Sequence, residues 1–285
     1  MLNKRIIPIL LIKNDQMVKS VKYKNLSYVG DPINIIKIFN EKEADEIIVL
    51  DIEKSTNDKE LNYDLINKFA SECYMPLTYG GGIKNIKQAE KLFSLGIEKL
   101  VINSNNYKNI NLIDEISKKF GSQSIVSSID INRDFFNNLY LYDWVNKKKI
   151  NLEINDHIRK CIDHGSGEIL LNFVFNEGTL CGFKTDILKF INFEIPIPLI
   201  INGGINSVEN IKKCIDCKKI DSLSIDQVQT NIKKALEDGL RKILSKIGIS
   251  LLSSYHGAQI FEAVGLGSDL IKLGFDGTTS RIAGI

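Results

Sequence analysis

Two stretches of the chain, PLTYGGGIKNIKQAEKLF (residues 76–93) and PLIINGGINSVENIKKCI (residues 198–215), are copies of each other. They align without a gap at an offset of 198 − 76 = 122 residues, with Pro, Leu, two Gly and Ile in register. At the same offset ADEIIVLDI (44–52) falls on SGEILLNFV (166–174). A unit of this size that occurs twice indicates an architecture built from a structural repeat.

Short β-branched runs alternate with stretches of helical period, as where EIIVLDI (46–52) is followed by NYDLINKFASE (62–72). Strand–helix pairs joined by right-handed crossovers build a parallel sheet. Eight strands are predicted, near residues 5–12, 47–52, 76–79, 99–103, 124–130, 168–174, 198–202 and 221–225. Eight parallel strands with internal two-fold symmetry predict an α/β fold, a (β/α)8 TIM barrel of two half-barrels over residues 1–228. An open doubly wound sheet is the alternative, but no G-x-G-x-x-G follows the first strand.

The composition narrows the class of partner. The 285 residues include 37 Lys and Arg against 35 Asp and Glu, a formal net charge of +2, so no global field favours nucleic acid or a membrane surface. No run reaches the roughly 18 to 20 apolar residues of a membrane helix. Pro8 interrupts the first apolar run, which favours a buried strand over a signal peptide. The five cysteines predict free thiols in a cytoplasmic protein, and no metal site is expected.

The loops that follow the strands carry the candidate site, because the chemistry of such barrels lies at the carboxyl ends of the strands. Gly81 and Gly82, in the triple glycine after the third strand, would let backbone N–H groups approach an anion. Asn103 and Ser104, after the fourth strand, would supply donors at the start of a helix. Together they predict a phosphate cradle, although glycine-rich turns also serve simply to join a strand to a helix.

The repeat predicts a second cradle at Gly203 and Gly204. The positions that correspond to Asn103 and Ser104 are 103 + 122 = 225 and 104 + 122 = 226, which are Ile225 and Asp226. An anionic side chain repels phosphate, so the second cradle is predicted to be weak.

Charged residues mark both ends of the predicted strands. Asp51 and Asp130 end strands at the barrel mouth, where a carboxylate can act as general acid or base or can cap the following loop. Charged residues that begin strands at the opposite end are expected to pair as a salt-bridge ring: Arg5, Glu46, Lys99 and Glu168.

Taken in order, several motifs resemble the cyclase subunit of imidazole glycerol phosphate synthase from residue 1 to about residue 228: MLNKRIIPILLIKND, VGDPINIIKIFNEKEADEIIVLDI, PLTYGGGIKN, INSNN, FGSQSIVSSID, GEILL and EGTLCGF. The resemblance implies a (β/α)8 barrel that docks a glutaminase subunit. It implies that ammonia enters past the charged ring, which acts as a gate, and reacts with a phosphorylated substrate. It also implies Asp130 as an acid or base, Glu177 as a further catalytic carboxylate, and Gly178 and Thr179 in phosphate binding.

Departures from that family's pattern point to a different acceptor. The family carries an acid/base Asp at the end of the first strand, whereas this chain has Leu11, which cannot transfer a proton. Phe175 and Asp226 are further departures. The closest resemblance is to the divergent branch associated with amidination of surface-polysaccharide sugars. We therefore expect an ammonia-using synthase whose acceptor has one anionic end, such as a sugar-nucleotide derivative. A catalytically silent barrel that only activates a glutaminase is an alternative.

The tail, residues 229–285, is expected to be helical at first and irregular beyond. An amphipathic helix is predicted from Ile232 to Ile247, with apolar residues at three- and four-residue spacing. Residues 234–285 resemble a segment of the flavin-binding domain of glutamate synthase, in which Lys246 and Ser250 would lie near FMN. The rest of that barrel is absent, and a barrel fragment cannot enclose a flavin. No cofactor is therefore expected, and a glutamate synthase fragment is kept as a second alternative function.

Overall fold

A computed structural model describes residues 4–56, 60–216, 262–266 and 279–283 of the chain. The chain divides into two compact units, one over residues 2–223 and the other over residues 224–285 with Met1. No helix among the described residues combines the length and the apolar character needed to cross a bilayer.

The first unit is the (β/α)8 barrel that the repeat predicts. Seven of its parallel strands are among the described residues, and they neighbour one another in chain order. They are β1 (Ile9–Lys13), β4 (Ile47–Asp51), β5 (Leu77–Gly80), β6 (Lys99–Ile102), β7 (Ile125–Arg133), β10 (Glu168–Phe173) and β11 (Leu199–Asn202). Each agrees with a predicted strand to within a few residues at its ends. The predicted eighth strand, 221–225, lies outside the described residues.

Helices cover the outer face of the sheet between these strands. They are α1 (Pro32–Glu41), α2 (Ile52–Thr56), α3 (Tyr63–Glu72), α4 (Ile86–Ser94), α5 (Asn105–Lys108), α6 (Asn111–Phe120), α7 (Ile154–Asp163) and α8 (Val208–Ile215). Two 3₁₀ helices, Ser122–Ser124 and Thr185–Phe190, complete the set among the described residues. In the second half-barrel the connection from β10 to β11 is 3₁₀ only, where the first half has α2 and α3.

The repeat is visible in the backbone of the two glycine turns. Gly81 and Gly203 have φ of 123° and 126°, a region that favours glycine. A Cβ on Gly81 would collide with the carbonyl oxygen of Asp51, and one on Gly203 would lie 2.8 Å from that of Phe173. Since 51 + 122 = 173, the same close approach of turn and strand end occurs in both halves.

The helix caps repeat as well. Asn85 caps α4, and its side chain accepts a hydrogen bond from the backbone N–H of Gln88. Ser207 caps α8 and accepts from the N–H of Asn210, again 122 residues further along. Both caps have extended backbone, at φ −152° and −155°, as an N-cap requires.

Each half-barrel also carries an antiparallel excursion that the sequence did not predict. In the first half β1 pairs with β2 (Gln16–Val21), which pairs with β3 (Lys24–Gly30). In the second half β7 pairs with β8 (Leu139–Asp143), which pairs with β9 (Lys148–Ile150). Because these excursions leave the carboxyl ends of β1 and β7, they place additional residues at the mouth of the barrel.

The two turns of the first excursion are backbone outliers. Asn14 and Asp15 have φ of 49° and 58°, and Lys22 and Tyr23 have φ of 54° and 57°. Two-residue turns with both central residues at positive φ are type I′, which normally selects Asn and Gly. A Lys-Tyr pair at such a turn is strained, and strain of this kind collects at functional positions.

The barrel has two hydrophobic clusters because its strands are covered on both faces. The larger cluster joins the outer side of the strands to the helices. The smaller lies inside the barrel and consists of Ile48, Val101, Val126 and Leu170, with Ile7, Ile9, Leu50 and Ile200 packed against it. Side chains alternate along a strand, so the positions two residues before and after these also face inward.

In the second unit, β12 (Glu262–Leu266) and β13 (Thr279–Ala283) form a two-stranded parallel sheet. The sequence pattern predicted no strand there. The predicted amphipathic helix and the flavin-proximal positions Lys246 and Ser250 lie outside the described residues, and the domain boundary at residue 228 stays a prediction.

Candidate active site

The carboxyl ends of β7, β10 and β11 place a cluster of polar side chains inside the barrel mouth. Ser128, Asp130 and Asn172 are each at most 4% exposed. Asn172 Nδ2 donates to Ser128 Oγ (2.9 Å) and to Asp130 Oδ1 (2.9 Å). Asn103 Nδ2 donates to Ser128 Oγ (3.1 Å), and Asn202 Nδ2 donates to Asn172 Oδ1 (3.0 Å). The hydrogen bonds link four strand ends into one network, which holds Asp130 in a fixed orientation.

Asp130 is the titratable group of this network. Burial raises the pKa of its carboxyl to about 6, while the hydrogen bonds from Asn172 and Tyr23 oppose the rise. Its Oδ1 accepts from Asn172 and from the Tyr23 hydroxyl (3.0 Å), whereas the buried Oδ2 accepts no hydrogen bond from the described residues. A carboxylate with a pKa near neutrality and one oxygen free of hydrogen bonds is suited to general acid–base chemistry.

The sheet register shows which residue takes the corresponding place in the first half-barrel. Asn172 of β10 pairs with Asp130 of β7. Leu50, which is 172 − 122, pairs with Leu11 of β1. Leu11 is therefore the symmetry counterpart of Asp130, and one of the two equivalent positions at the mouth has no group that can transfer a proton.

Asp51 caps the helix that follows its strand. Its Oδ1 accepts hydrogen bonds from the backbone N–H groups of Glu53 (3.1 Å) and Lys54 (3.2 Å) at the start of α2. Burial raises the pKa of the Asp51 carboxyl, and these backbone donors oppose the rise. The contacts are those of the capping role, and a catalytic role for Asp51 stays a prediction.

Glu177 anchors the hairpin of the first excursion. Its Oε1 accepts from Ser20 Oγ (2.7 Å), its Oε2 from the backbone N–H of Tyr23 (3.0 Å), and its carbonyl from the N–H of Lys22 (2.9 Å). Next to it, Gly178 has φ 66°, and a Cβ there would collide with the Ser20 carbonyl oxygen. Both oxygens of Glu177 hold the strained Lys-Tyr turn over the barrel, and a catalytic role for Glu177 stays a prediction.

The predicted phosphate-binding residues of the first cradle lie at adjacent strand ends. Gly82 has φ 69° and a Cβ on it would meet Lys54, so its backbone approaches the start of α2 closely. The Asn103 side chain turns into the Asp130 network, as its bond to Ser128 shows. Ser104 precedes α5, a single turn of four residues.

The remaining predicted phosphate residues lie on the second half-barrel. Gly203 and Gly204 repeat the φ values of the first turn, at 126° and 84°, and the Gly204 carbonyl accepts from the N–H of Gly182 (2.7 Å). The Thr179 hydroxyl donates to the carbonyl of Asn176 (2.7 Å). Ile225 and Asp226 lie outside the described residues. Binding of phosphate at either turn stays a prediction.

The four charges at the amino ends of the strands form the expected ring. Arg5 Nη1 binds Glu46 Oε2 (2.6 Å) and Nη2 binds Glu168 Oε1 (2.9 Å). Lys99 Nζ binds the same two carboxylates, at 2.8 and 3.1 Å. Each cation thus bridges both anions. Burial would lower the pKa of Arg5, but the two carboxylates outweigh it and raise that pKa.

An apolar layer separates the ring from the polar network. Three side chains of β10 face inward, one in each layer. Glu168 belongs to the ring, Leu170 to the apolar cluster and Asn172 to the polar network. Four residues of a strand span about 13 Å. The barrel interior therefore has a charged end, an apolar middle and a polar end that contains Asp130.

A family model described as "Histidine biosynthesis protein" matches residues 5–225 of the chain. The chain belongs to this family. It is 41% identical over 216 residues to "Putative imidazole glycerol phosphate synthase subunit HisF" of Leptospira borgpetersenii, a match that covers 75% of this chain and 85% of that protein. It is 39% identical over 221 residues to "Putative imidazole glycerol phosphate synthase subunit hisF3" of Vibrio vulnificus, covering 77% and 85% of the two chains. To imidazole glycerol phosphate synthase subunit HisF of Alkaliphilus metalliredigens it is 34% identical over 210 residues, covering 74% and 83%.

A second family model, described as "Glutamate synthase central domain", matches residues 203–267. Its match begins at the β11 turn of the histidine biosynthesis family barrel and ends just after β12. It therefore overlaps the tail only in part, and the likeness of residues 234–285 to a flavin-binding segment stays a prediction.

Sequence reasoning missed four residues of the network: Ser128, Asn172, Asn202 and Tyr23. Asn172 and Asn202 end the strands EILLN and LIIN. Side chains alternate along a strand, so counting from Glu168 or from the inward-facing Ile200 would have indicated that both Asn side chains face the inside of the barrel. Tyr23 could not be found in this way. Its turn lacks the Asn-Gly type of signal, so nothing in the sequence indicated that a hairpin would bring it to Asp130.

Proposed function

We propose that the chain is the ammonia-using, cyclase-type synthase subunit of a glutamine amidotransferase, in which Asp130 transfers the proton. The observation that carries the proposal is the buried Asp130, with a pKa of about 6 and one open oxygen, at the mouth of a HisF-like barrel. Above pH 6 most of the carboxyl is ionised and can accept a proton as nitrogen is added to the acceptor.

The interior supports a route for ammonia from the ring to Asp130. Entry of ammonium is opposed by the cost of desolvating a charge in the apolar layer that follows the ring. Neutral ammonia carries no such cost. The ring therefore suits a gate that admits ammonia in its neutral form.

A glutaminase subunit is the partner that this arrangement needs, because the ring lies at the end of the barrel away from Asp130. Two large apolar side chains near that end are exposed: Ile6, next to Arg5, at 55%, and Tyr74, just before β5, at 86%. Tyrosine and Arg are enriched in protein–protein interfaces, so these side chains and Arg5 fit a docking surface at this end of the barrel.

The acceptor is proposed to differ from the bis-phosphorylated ribulosyl substrate of the histidine pathway. Leu11 takes the place where symmetry would put a second proton-transfer group, and Asp226 disfavours a second phosphate. The two relatives at about 40% identity that are reported above carry the word "Putative" in their names, while the one named without it is 34% identical. An acceptor with one anionic end, as in amidination of surface-polysaccharide sugars, fits these losses.

The test supplies excess ammonia without glutaminase and follows product by mass spectrometry, with the bis-phosphorylated substrate and sugar-nucleotide acceptors in parallel. We expect product from a sugar acceptor and little from the bis-phosphorylated one. Asp130→Asn should lower the rate by about 10²- to 10⁴-fold, the usual contribution of general acid–base catalysis. Asp134→Asn, the same change at an exposed carboxylate with depressed pKa, is the matched control. Rapid turnover of the bis-phosphorylated substrate would show that the acceptor proposal is wrong, and an unchanged Asp130→Asn rate would remove the role of Asp130.

Two alternatives have specific observations behind them. A silent barrel that only activates glutaminase is favoured by Leu11, and predicts stimulated glutamine hydrolysis with no aminated product from any acceptor. A glutamate synthase-related fragment is favoured by the match over residues 203–267. It predicts flavin absorbance in the purified protein, and a colourless protein that binds no added FMN contradicts it.

A further inference from the structure

The Tyr23 side chain reaches Asp130 from the hairpin outside the barrel strands. Its hydroxyl donates to Asp130 Oδ1 at 3.0 Å, and its ring meets Trp144 edge-on at a centroid distance of 5.9 Å. Trp144 lies in the turn between β8 and β9. The excursions of the two half-barrels thus meet above Asp130 through these two rings.

The contact depends on a strained turn that the rest of the barrel maintains. Tyr23 is a bulky residue at φ 57°, where side chains are unfavourable. Glu177 holds the turn through three hydrogen bonds to Ser20, Lys22 and Tyr23. Backbone strain of this kind collects at functional positions, and here the strained residue is the one whose hydroxyl binds Asp130.

Chemically, the phenol can act on Asp130 only as a donor. Burial, and then the charge of Asp130, raise the pKa of Tyr23 well above its ordinary value, so the hydroxyl stays protonated at working pH. A hydrogen bond to a carboxylate stabilises the ionised form. Oδ1 then accepts from Tyr23 and Asn172, and the buried Oδ2 accepts no hydrogen bond from the described residues.

We propose that Tyr23 is a positioning residue of the reaction: its hydroxyl keeps Asp130 ionised with Oδ1 occupied, so that Oδ2 faces the acceptor as the proton-accepting oxygen. The proposal deepens the proposed function, since it rests on Asp130 as the proton-transfer group. It assigns to the hairpin a role in the half-barrel where Leu11 supplies no acid or base. When Oδ2 takes up a proton from the acceptor, the bond from Tyr23 becomes one to a neutral carboxyl and weakens.

The experiment reads the pKa of Asp130 directly, by NMR of protein with ¹³C-carboxyl-labelled aspartate, with the signal assigned through Asp130→Asn. Other titratable groups that face the pair are Asp143 and Tyr142 of β8, Tyr107 of α5 and Glu177, and they are unchanged in every variant. Tyr23→Phe should raise the midpoint from about 6 to between about 7 and 8, the shift expected for one lost hydrogen bond to a charged group. Replacement of Tyr23 by 3-fluorotyrosine, a more acidic and stronger donor, should lower it.

Controls separate the hydroxyl from the hairpin. Tyr28→Phe makes the same change on the same hairpin at an exposed hydroxyl, and should leave the midpoint unchanged. Trp144 is the only tryptophan of the chain, so its emission shows whether the Tyr23 ring stays in place. Midpoints that stay within about 0.3 units of wild type in both Tyr23 variants would overturn the proposal.

The NMR titration needs no substrate, so it gives a result for the Tyr23–Asp130 coupling even if the proposed function is wrong. If amination of an acceptor is observed, the acid limb of the kcat/KM profile should move with the NMR midpoint in Tyr23→Phe. A shifted midpoint with no product from any acceptor would keep the Tyr23–Asp130 coupling and reject the proposed function instead.

Discussion

The effect of Asp130→Asn on the stability of the barrel should depend on pH. Compared with the wild-type protein, the variant should gain stability as the pH rises from acid to neutral. The carboxyl has a pKa of about 6 in the folded protein, against an ordinary value of 3.8. A raised carboxyl pKa means that the folded state holds its proton more tightly than the unfolded state does. Below pH 3.8 the group is neutral in both states; as pH rises through 6, the wild-type protein loses stability because it must bury an ionised carboxylate.

The magnitude follows from the two pKa values. Their difference is 6 − 3.8, or about 2 units, and each unit corresponds to about 1.4 kcal/mol, so the pH-dependent loss is about 3 kcal/mol. The introduced amide is neutral at every pH. Its nitrogen replaces Oδ2, which accepts no hydrogen bond from the described residues, and this adds a penalty that does not vary with pH. We therefore subtract the free energy of unfolding of wild type from that of the variant. This difference should rise by about 3 kcal/mol between pH 3.5 and pH 7.5.

Urea unfolding followed by Trp144 emission measures this difference, since Trp144 lies in the barrel unit. Asp134→Asn is the sign control. The Asp134 pKa is lowered, first by its hydrogen bond with Asn138, so that its contribution is present at neutral pH and lost in acid. The reasoning is refuted if the stability difference for Asp130→Asn is flat across this pH range, or if it has the same sign as that for Asp134→Asn.

Three further predictions concern the ends of the strands and use the same unfolding measurement. Glu46→Gln should lower the free energy of unfolding by about 2 to 4 kcal/mol, because it leaves two partly exposed cations to share one carboxylate. A loss under about 1 kcal/mol would mean that charge does not hold the ring together. Gly81→Ala should destabilise by several kcal/mol and more than Gly203→Ala, since its Cβ collides more closely with the preceding strand; the reverse order would contradict the turn geometry. Asn85→Ala and Ser207→Ala should each cost about 1 kcal/mol, and unequal losses would show that the two caps are not equivalent.

The repeat is the part of the fold that could be predicted from the sequence in most detail. Glycine turns, caps and strand starts recur at one offset because each depends on a local requirement: a positive φ at Gly81 and Gly203, and a side-chain acceptor at Asn85 and Ser207. The salt-bridge ring could be predicted because its members begin strands that must lie side by side. The correspondence of Leu11 with Asp130 came from the sheet register and not from the repeat, because the two positions are 130 − 11 = 119 residues apart.

The two excursions could not be predicted, because the turn at Lys22 and Tyr23 contradicts ordinary turn chemistry. Such a turn is stable only through a contact between distant parts of the chain, with Glu177, which is 177 − 23 = 154 residues from Tyr23. The roles of Asp51 and Glu177 were ambiguous for the same reason. A carboxylate at a strand end looks the same in sequence whether it binds backbone N–H groups or faces a substrate.

The sequence alone determined the barrel, its two halves and the ring, because each depends on local pattern and on spacing along the chain, and the family resemblance added that Leu11 stands where an Asp is expected. Only the tertiary structure decided that Asp130 has one oxygen engaged and one open, and that Tyr23 is its donor. The physical reason is that a pKa of about 6 depends on burial and on hydrogen bonds from separate parts of the chain, and these exist only once the strands and the hairpin have come together.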